Sequence, residues 1–426
     1  MLLHSRRANL GQLVAAQAAR RPRKTAAEHG PVQLSYAELH AQATMLAQKL
    51  CALPFHAEEP VVILAPPGLE HIISQMGVVY AGGTCLPLDP SMSDADIEAR
   101  ANLAGACILI TSPHVKGREI SVRHKITMRP AKICPAELAQ DSFSFPVPVA
   151  PDYRSHILFT SGTTGKPKGV EILGRSIIRL HKGVFDPEDR VAHCNSVSFD
   201  ASLLDIWTTL MIGATVVVVE RDTLLNQQLF TQLLDQEIIT AMFLTSVVFN
   251  AIALSYPSAF SKCNSVLTGG EAPNHAAIRK VLERGPPKSF LHVYGLTECG
   301  VLSTSYQVSL YDVCQGYIPL GEPLKSTELF LVNNSHRLVR GQGTGELFIG
   351  GQGLARGYLG NAAKTSSAFL HIPGVGGDGE VKLLYRTGDI VQRDGQGRLF
   401  WRGRRNNEVK HRGHRVSLDA IESALH

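Results

Sequence analysis

The sequence predicts an α/β fold: two α/β subdomains on largely parallel sheets, then a small barrel or antiparallel unit. Three observations carry that expectation. Apolar β-branched runs alternate with helical periods up to about residue 320, the order of a parallel sheet covered on both faces. The apolar run from Ile157 to Phe159 opens directly into hydroxyls, glycines and lysines, as a strand feeding a binding loop does. From about Gly321 helical periodicity gives way to short strands broken by glycines. These changes of texture divide the chain at 1–150, 151–320, 321–403 and 404–426.

Each element follows from its residues. Leu10, Leu13 and Val14 have helical spacing, Asn9 can cap that helix, and Arg20-Arg21-Pro22 closes it. The first 27 residues hold five arginines and no acid, which imitates a presequence, but an integral helix is preferred. Residues 60–65 read as a strand, Pro66-Pro67-Gly68 as a turn, and Ile72, Ile73, Met76 and Val79 as a helix stopped by Gly82-Gly83. A helix at 94–103 runs into a strand at 107–111, and the five prolines of 129–152 mark a surface connector. Further on, 214–219, 242–244 and 265–267 read as buried strands, 229–234 as a helix, and 328–332, 345–349 and 399–402 as short strands.

Composition narrows the function. With 44% apolar and 19% charged residues the chain is globular rather than disordered or collagen-like. A net charge of +5 from 42 basic and 37 acidic residues, without a long basic block, does not point to nucleic acid. Eight cysteines with no Cys-x-x-Cys pair read as reduced, mostly buried thiols of a cytoplasmic protein. No apolar run approaches the roughly 20 residues that a membrane helix needs.

The stretch Ile157 to Val170 carries the chemistry. Its glycines let backbone N–H groups approach an anion, Thr160, Ser161, Thr163 and Thr164 supply hydroxyls, and Lys166 and Lys168 supply positive charge. The ligand that suits it is a polyphosphate. It is not a Walker loop, because Pro167 follows Lys166 and Thr160 stands where the first glycine belongs. A plain Gly/Ser/Thr linker would not need two lysines framing a proline after a buried-type strand.

The loop resembles that of adenylate-forming enzymes, and six further blocks recur in the order and rough spacing of the amino-acid-activating (adenylation) domains of nonribosomal peptide synthetases. They are Tyr80-Ala81-Gly82-Gly83-Thr84-Cys85-Leu86-Pro87-Leu88-Asp89-Pro90, Ser198-Phe199-Asp200-Ala201-Ser202, and Tyr294-Gly295-Leu296-Thr297-Glu298. Then come Gly345-Glu346-Leu347-Phe348-Ile349-Gly350-Gly351, Tyr385-Arg386-Thr387-Gly388-Asp389 and the run Gly403 to Gly413.

The resemblance covers essentially the whole chain and implies two α/β subdomains, a distorted β-barrel and the start of a mobile C-terminal lid. It implies ATP and Mg²⁺ as ligands, with Thr160, Ser161, Gly162, Thr163, Thr164, Gly165 and Lys168 around the triphosphate. Gly270, Glu271 and Gly295 would line the nucleotide site, Tyr294 would pack on adenine, Asp389 with Arg404 would take the ribose, Thr297 the α-phosphate, and Glu298 the metal. Thr160, Lys168, Thr297 and Glu298 would bear on catalysis.

In the same family an aspartate at Asp200 binds the α-ammonium of an amino acid. Ala201, Leu204, Val247, Leu267, Gly269, Val293, Val301 and Leu302 would line the rest of an uncharged pocket, Gly269 giving depth for an aliphatic side chain. Taken alone, Tyr294 reads as a core aromatic, Glu298 as a solvated acid and Asp200 as a helix cap. The acyl group would pass to the phosphopantetheine thiol of a carrier domain, expected in the same polypeptide. An aryl- or acyl-acid ligase, or a nucleotide-binding module without turnover, is the alternative. The family's lid lysine is absent, so this stretch is expected to be a weakly active core of a longer enzyme. Asn406 stands where the hinge block usually has aspartate.

Overall fold

The computed structural model describes residues 8–115, 117–130, 145–160, 167–181, 183–236, 238–333, 337–373, 381–405, 408–411 and 414–417. Its contacts fall into two compact units, one of residues 1–158 and 171–221, the other of 159–170 and 222–426.

The first unit begins with the helix Leu10–Arg20, whose Asn9 side chain accepts from Gln12 N–H at 2.9 Å while Gln12 Oε1 accepts from Asn9 N–H at 3.0 Å. That reciprocal pair is a capping box and explains why the helix starts there. Strand Pro60–Leu64 lies between Thr84–Leu88 and Ile108–Thr111, with His124–Thr127 beyond, all in parallel register. Cys85 pairs with His156 of strand Arg154–Thr160. Helix Leu69–Tyr80 buries every residue but Glu70, the polar His71, Ser74 and Gln75 included.

The second sheet of this unit sets Thr215–Val218 between Arg190–His193 and Thr25–His29, both parallel, and closes with an antiparallel hairpin to Val32–Ser35. The apolar stretch after Asp200 is not one helix. It is a short helix Ala201–Leu203, a π-turn Leu204–Thr208 and a helix Thr209–Ile212.

The second unit holds parallel strands Ala241–Thr245, Ser265–Gly269 and Ser289–Tyr294, followed by antiparallel Thr304–Gln307 and Glu322–Pro323. Beyond it, the expected barrel is an open antiparallel sheet among the described residues. The 13-residue strand Val381–Arg393 is its hub. One edge pairs with Gly343–Gly351, which pairs in turn with Thr327–Val332. The other edge is shared by Phe369–Pro373 and Leu399–Arg404. Register shifts at Glu346/Phe348 and Ile390/Val391 twist the sheet without joining its outer strands. A short hairpin, Glu408–His411 with His414–Ser417, follows.

No disulfide joins the described cysteines. Cys85, Cys263 and Cys299 are buried but Cys51 and Cys314 are exposed, so the expectation of mostly buried thiols holds only in part. Among the described residues no helix is long and apolar enough to cross a membrane. Most of the expected connector at 129–152 lies outside the described residues.

Candidate active site

Strand Ser289–Tyr294 ends in a sharp reversal. Ser303 N–H donates to the Tyr294 carbonyl at 2.8 Å, and a Cβ on Gly295 would sit 1.9 Å from the Val301 carbonyl oxygen. Only glycine lets the chain fold back this closely. Inside the reversal Thr297–Cys299 is a 3₁₀ turn ended by Gly300 at φ 71°. Val301 follows at φ 72°, a strained conformation for a β-branched residue. The turn delivers Glu298 into the interior.

There Glu298 meets Lys168, the first residue of strand Lys168–Leu173. Lys168 Nζ donates to Glu298 Oε1 at 2.8 Å, with side chains only 8% and 3% exposed. Tyr358 completes a ring of bonds, donating its hydroxyl to Glu298 Oε1 at 2.8 Å and accepting from Lys168 Nζ at 3.1 Å. The ammonium also lies 4.5 Å from the centre of the Tyr358 ring. Burial, reinforced by the Glu298 charge, drives the Tyr358 hydroxyl far above its ordinary pKa, so it stays protonated.

A second cluster forms where Tyr294 meets the antiparallel sheet. Asp389 accepts from Tyr294 Oη at 2.6 Å, Arg404 Nε at 2.9 Å and Trp401 Nε1 at 3.1 Å. Burial, with the Asp389 charge next in weight, raises the Tyr294 pKa well above its usual value. Nearby Glu346 accepts from Arg386 at 2.8 and 3.0 Å and from Arg405 at 2.8 Å. Burial pushes the Glu346 carboxyl up, but these hydrogen bonds outweigh it and hold the pKa below its ordinary value.

Of the residues singled out from the sequence, Lys168 is thus joined to Glu298, and Tyr294 to Asp389 and Arg404. Thr160 ends its strand with Oγ1 buried and without a hydrogen-bond partner among the described residues. Gly270 takes φ 91° with open space where a Cβ would lie, beside half-buried Glu271. Ser161, Gly162, Thr163, Thr164, Gly165, Lys166 and Asn406 lie outside the described residues.

In the first unit Ala201 and Leu204 are buried. Asp200 has helical dihedrals, φ −62° and ψ −29°, and its side chain makes no cap bond. Helix capping therefore does not account for it. In the second unit Leu267, Val293, Val301 and Leu302 are buried, whereas Val247 is 38% exposed. Gly269 needs a correction: its Cβ position falls 2.1 Å from the Val293 carbonyl oxygen, so the missing side chain leaves no depth and instead lets two strands close.

Tyr358 and Trp401 escaped the sequence reading as site residues. Gly357-Tyr358 carries no chemistry-bearing neighbour pattern, and Trp401 is one aromatic in an ordinary strand.

Residues 14–359 match the family described as AMP-binding enzyme. Aldehyde reductase lnaA of Aspergillus flavus is 36% identical over 95% of this chain and 39% of its own length. The non-canonical nonribosomal peptide synthetase hkm10 of Aspergillus hancockii is 38% identical over 99% of this chain and 42% of its own. The chain thus spans about two fifths of the length of these relatives. The solved structure of holo-PA1221, a nonribosomal peptide synthetase protein containing adenylation and PCP domains, superposes with TM-score 0.86 at 26% identity, over 98% of this chain and 72% of that one. The chain belongs to the AMP-binding enzyme family, with synthetase adenylation proteins as its relatives.

Proposed function

We propose that the chain activates an amino acid with ATP, forming an aminoacyl-adenylate and pyrophosphate, and that the acyl group then passes to a carrier phosphopantetheine thiol. The observation that carries this reading is the buried Lys168–Glu298 pair, a cation and a carboxylate held together at the end of a hydroxyl- and glycine-rich loop.

The residues suit a magnesium nucleotide. Lys168 brings positive charge, Thr160 a buried hydroxyl with no partner among the described residues, and Glu298 the hard oxygen ligand that Mg²⁺ takes alongside substrate phosphates. Bound Mg²⁺ would neutralise phosphate charge during displacement at the α-phosphorus. Thr160 and Lys168 would grip phosphate oxygens and Thr297 would contact the α-phosphate. Gly270, Glu271 and Gly295 would border the base, and Asp389 would exchange some of its present donors for ribose hydroxyls. Proximity and charge neutralisation, with no protein nucleophile, would supply most of the rate.

An amino acid is favoured over a simple acid because Asp200 stands where the resembling amino-acid-activating domains carry the aspartate that binds the α-ammonium. Within the second unit the uncharged candidates Leu267, Val293, Val301 and Leu302 suit an aliphatic side chain. Residues 404–426 are proposed as the hinge, at Asn406, and the start of a lid. ATP–pyrophosphate exchange, screened over amino acids and the matching acids without the amine, tests the reading. Exchange with an aliphatic amino acid is expected; exchange only with the des-amino acids, or none, overturns it.

A further inference from the structure

The segment from Ala355 to Leu359 ties the two halves of the buried ion pair together. Ala355 N–H donates to the Glu298 carbonyl at 2.9 Å, and Leu359 N–H to the Gly169 carbonyl at 2.8 Å. Between them Tyr358 bridges Val170 in antiparallel fashion. The strand that leaves the loop and the turn that carries Glu298 are thus clipped to one short stretch of chain. The Tyr358 ring is itself held, edge-on to Phe369 at 5.9 Å, while its N–H donates to Thr365 Oγ1 at 2.9 Å.

A phenol has one proton to give, and here it goes to Glu298 Oε1, the same oxygen that Lys168 holds. Two donors on one oxygen leave a carboxylate little freedom to rotate. We infer that Tyr358 is a positioning residue: its hydroxyl locks the Glu298 carboxylate in one orientation, so that a divalent cation arriving with the nucleotide meets an oxygen already aimed. This rests on the nucleotide reading above and adds a residue to it. Packing alone would be served equally well by phenylalanine.

Tyr358→Phe separates the two, because it keeps the ring, the Phe369 contact and the face offered to Lys168 while removing only the hydroxyl. Calorimetric ATP affinity is measured across a Mg²⁺ titration. The Mg²⁺ concentration for half-maximal ATP binding is expected to rise about tenfold, the loss of one hydrogen bond to a charged group, while ATP affinity in EDTA changes by less than about threefold. A Mg²⁺ midpoint within about twofold of wild type overturns the proposal. Thr365→Val removes the side-chain acceptor of the Tyr358 N–H without touching Lys168 or Glu298. It should shift the midpoint the same way by a smaller factor, and it decides the matter if Tyr358→Phe does not fold. A wild-type chain whose ATP binding ignores Mg²⁺ is a distinct result, which overturns the metal assignment of Glu298 itself.

Discussion

Asp200 and Asp389 are both carboxylates, proposed to serve different ligands. Asp389 is closed in by Tyr294, Arg404 and Trp401, so Asp389→Asn strips a buried cation of its partner. A loss of about 3 to 5 kcal/mol in urea unfolding is expected, together with weaker ATP binding. Asp200→Ala is expected to act on the substrate instead. Amino-acid affinity should fall by roughly two to three decades with ATP affinity intact, and calorimetry with each ligand checks both. At this scale the sequence singles out candidate residues but not which of them touch. Asp389 and Arg404 read as neighbours at the ribose but Tyr294 as a separate adenine contact, because a bond between residues 95 apart leaves no trace in spacing. The positive φ of Val301 was equally illegible, since valine is the residue least expected there.

Among the elements, legibility followed burial. Helix Leu10–Arg20 and strand Pro60–Leu64 were readable because one carries a capped apolar stripe and the other is an unbroken apolar run. The hairpin Thr25–His29 with Val32–Ser35 was not, since it is half polar and its first strand pairs with Thr215–Val218 far along the chain. The open sheet in place of a barrel has the same cause: closure depends on which strands meet, and strand texture is alike either way. Glycines were legible as breaks but not as contacts. Gly295→Ala would press a methyl against backbone that cannot swing aside, at 1.9 Å from Val301 O and 2.7 Å from Leu302 Cα. It should cost about 1 to 3 kcal/mol and displace the turn that carries Glu298, so that thermal melting and ATP binding weaken together. Asn9→Ala, by contrast, should cost about 1 kcal/mol in melting and leave ATP binding unaffected.

For the molecule as a whole, acid is the expected weakness. Burial holds His71 and His156 at about 3, His71 further lowered by neighbouring His193 and His156, and burial holds His292 at about 4. Their unfolded value is near 6.5, so below that pH the unfolded chain takes up protons that the folded chain refuses. Stability is complete above pH 6.5 and falls as pH drops toward 4, by about 1.4 kcal/mol per histidine per pH unit. Melting temperature should decline steeply over that window, and a flat profile from pH 7 to 5 would refute the assignment. The division of contacts has a different consequence, for anyone cutting the gene. Residues 159–170 count with the unit that resumes at Asp222, so the two units interleave along the chain and no single break separates them. A fragment begun at Asp222 would inherit Glu298 and Tyr358 but leave Lys168 behind, stranding a buried negative charge at a cost of about 3 to 5 kcal/mol. Rescue by a synthetic peptide spanning residues 159–170, or by Glu298→Gln in the fragment, would measure that loss directly.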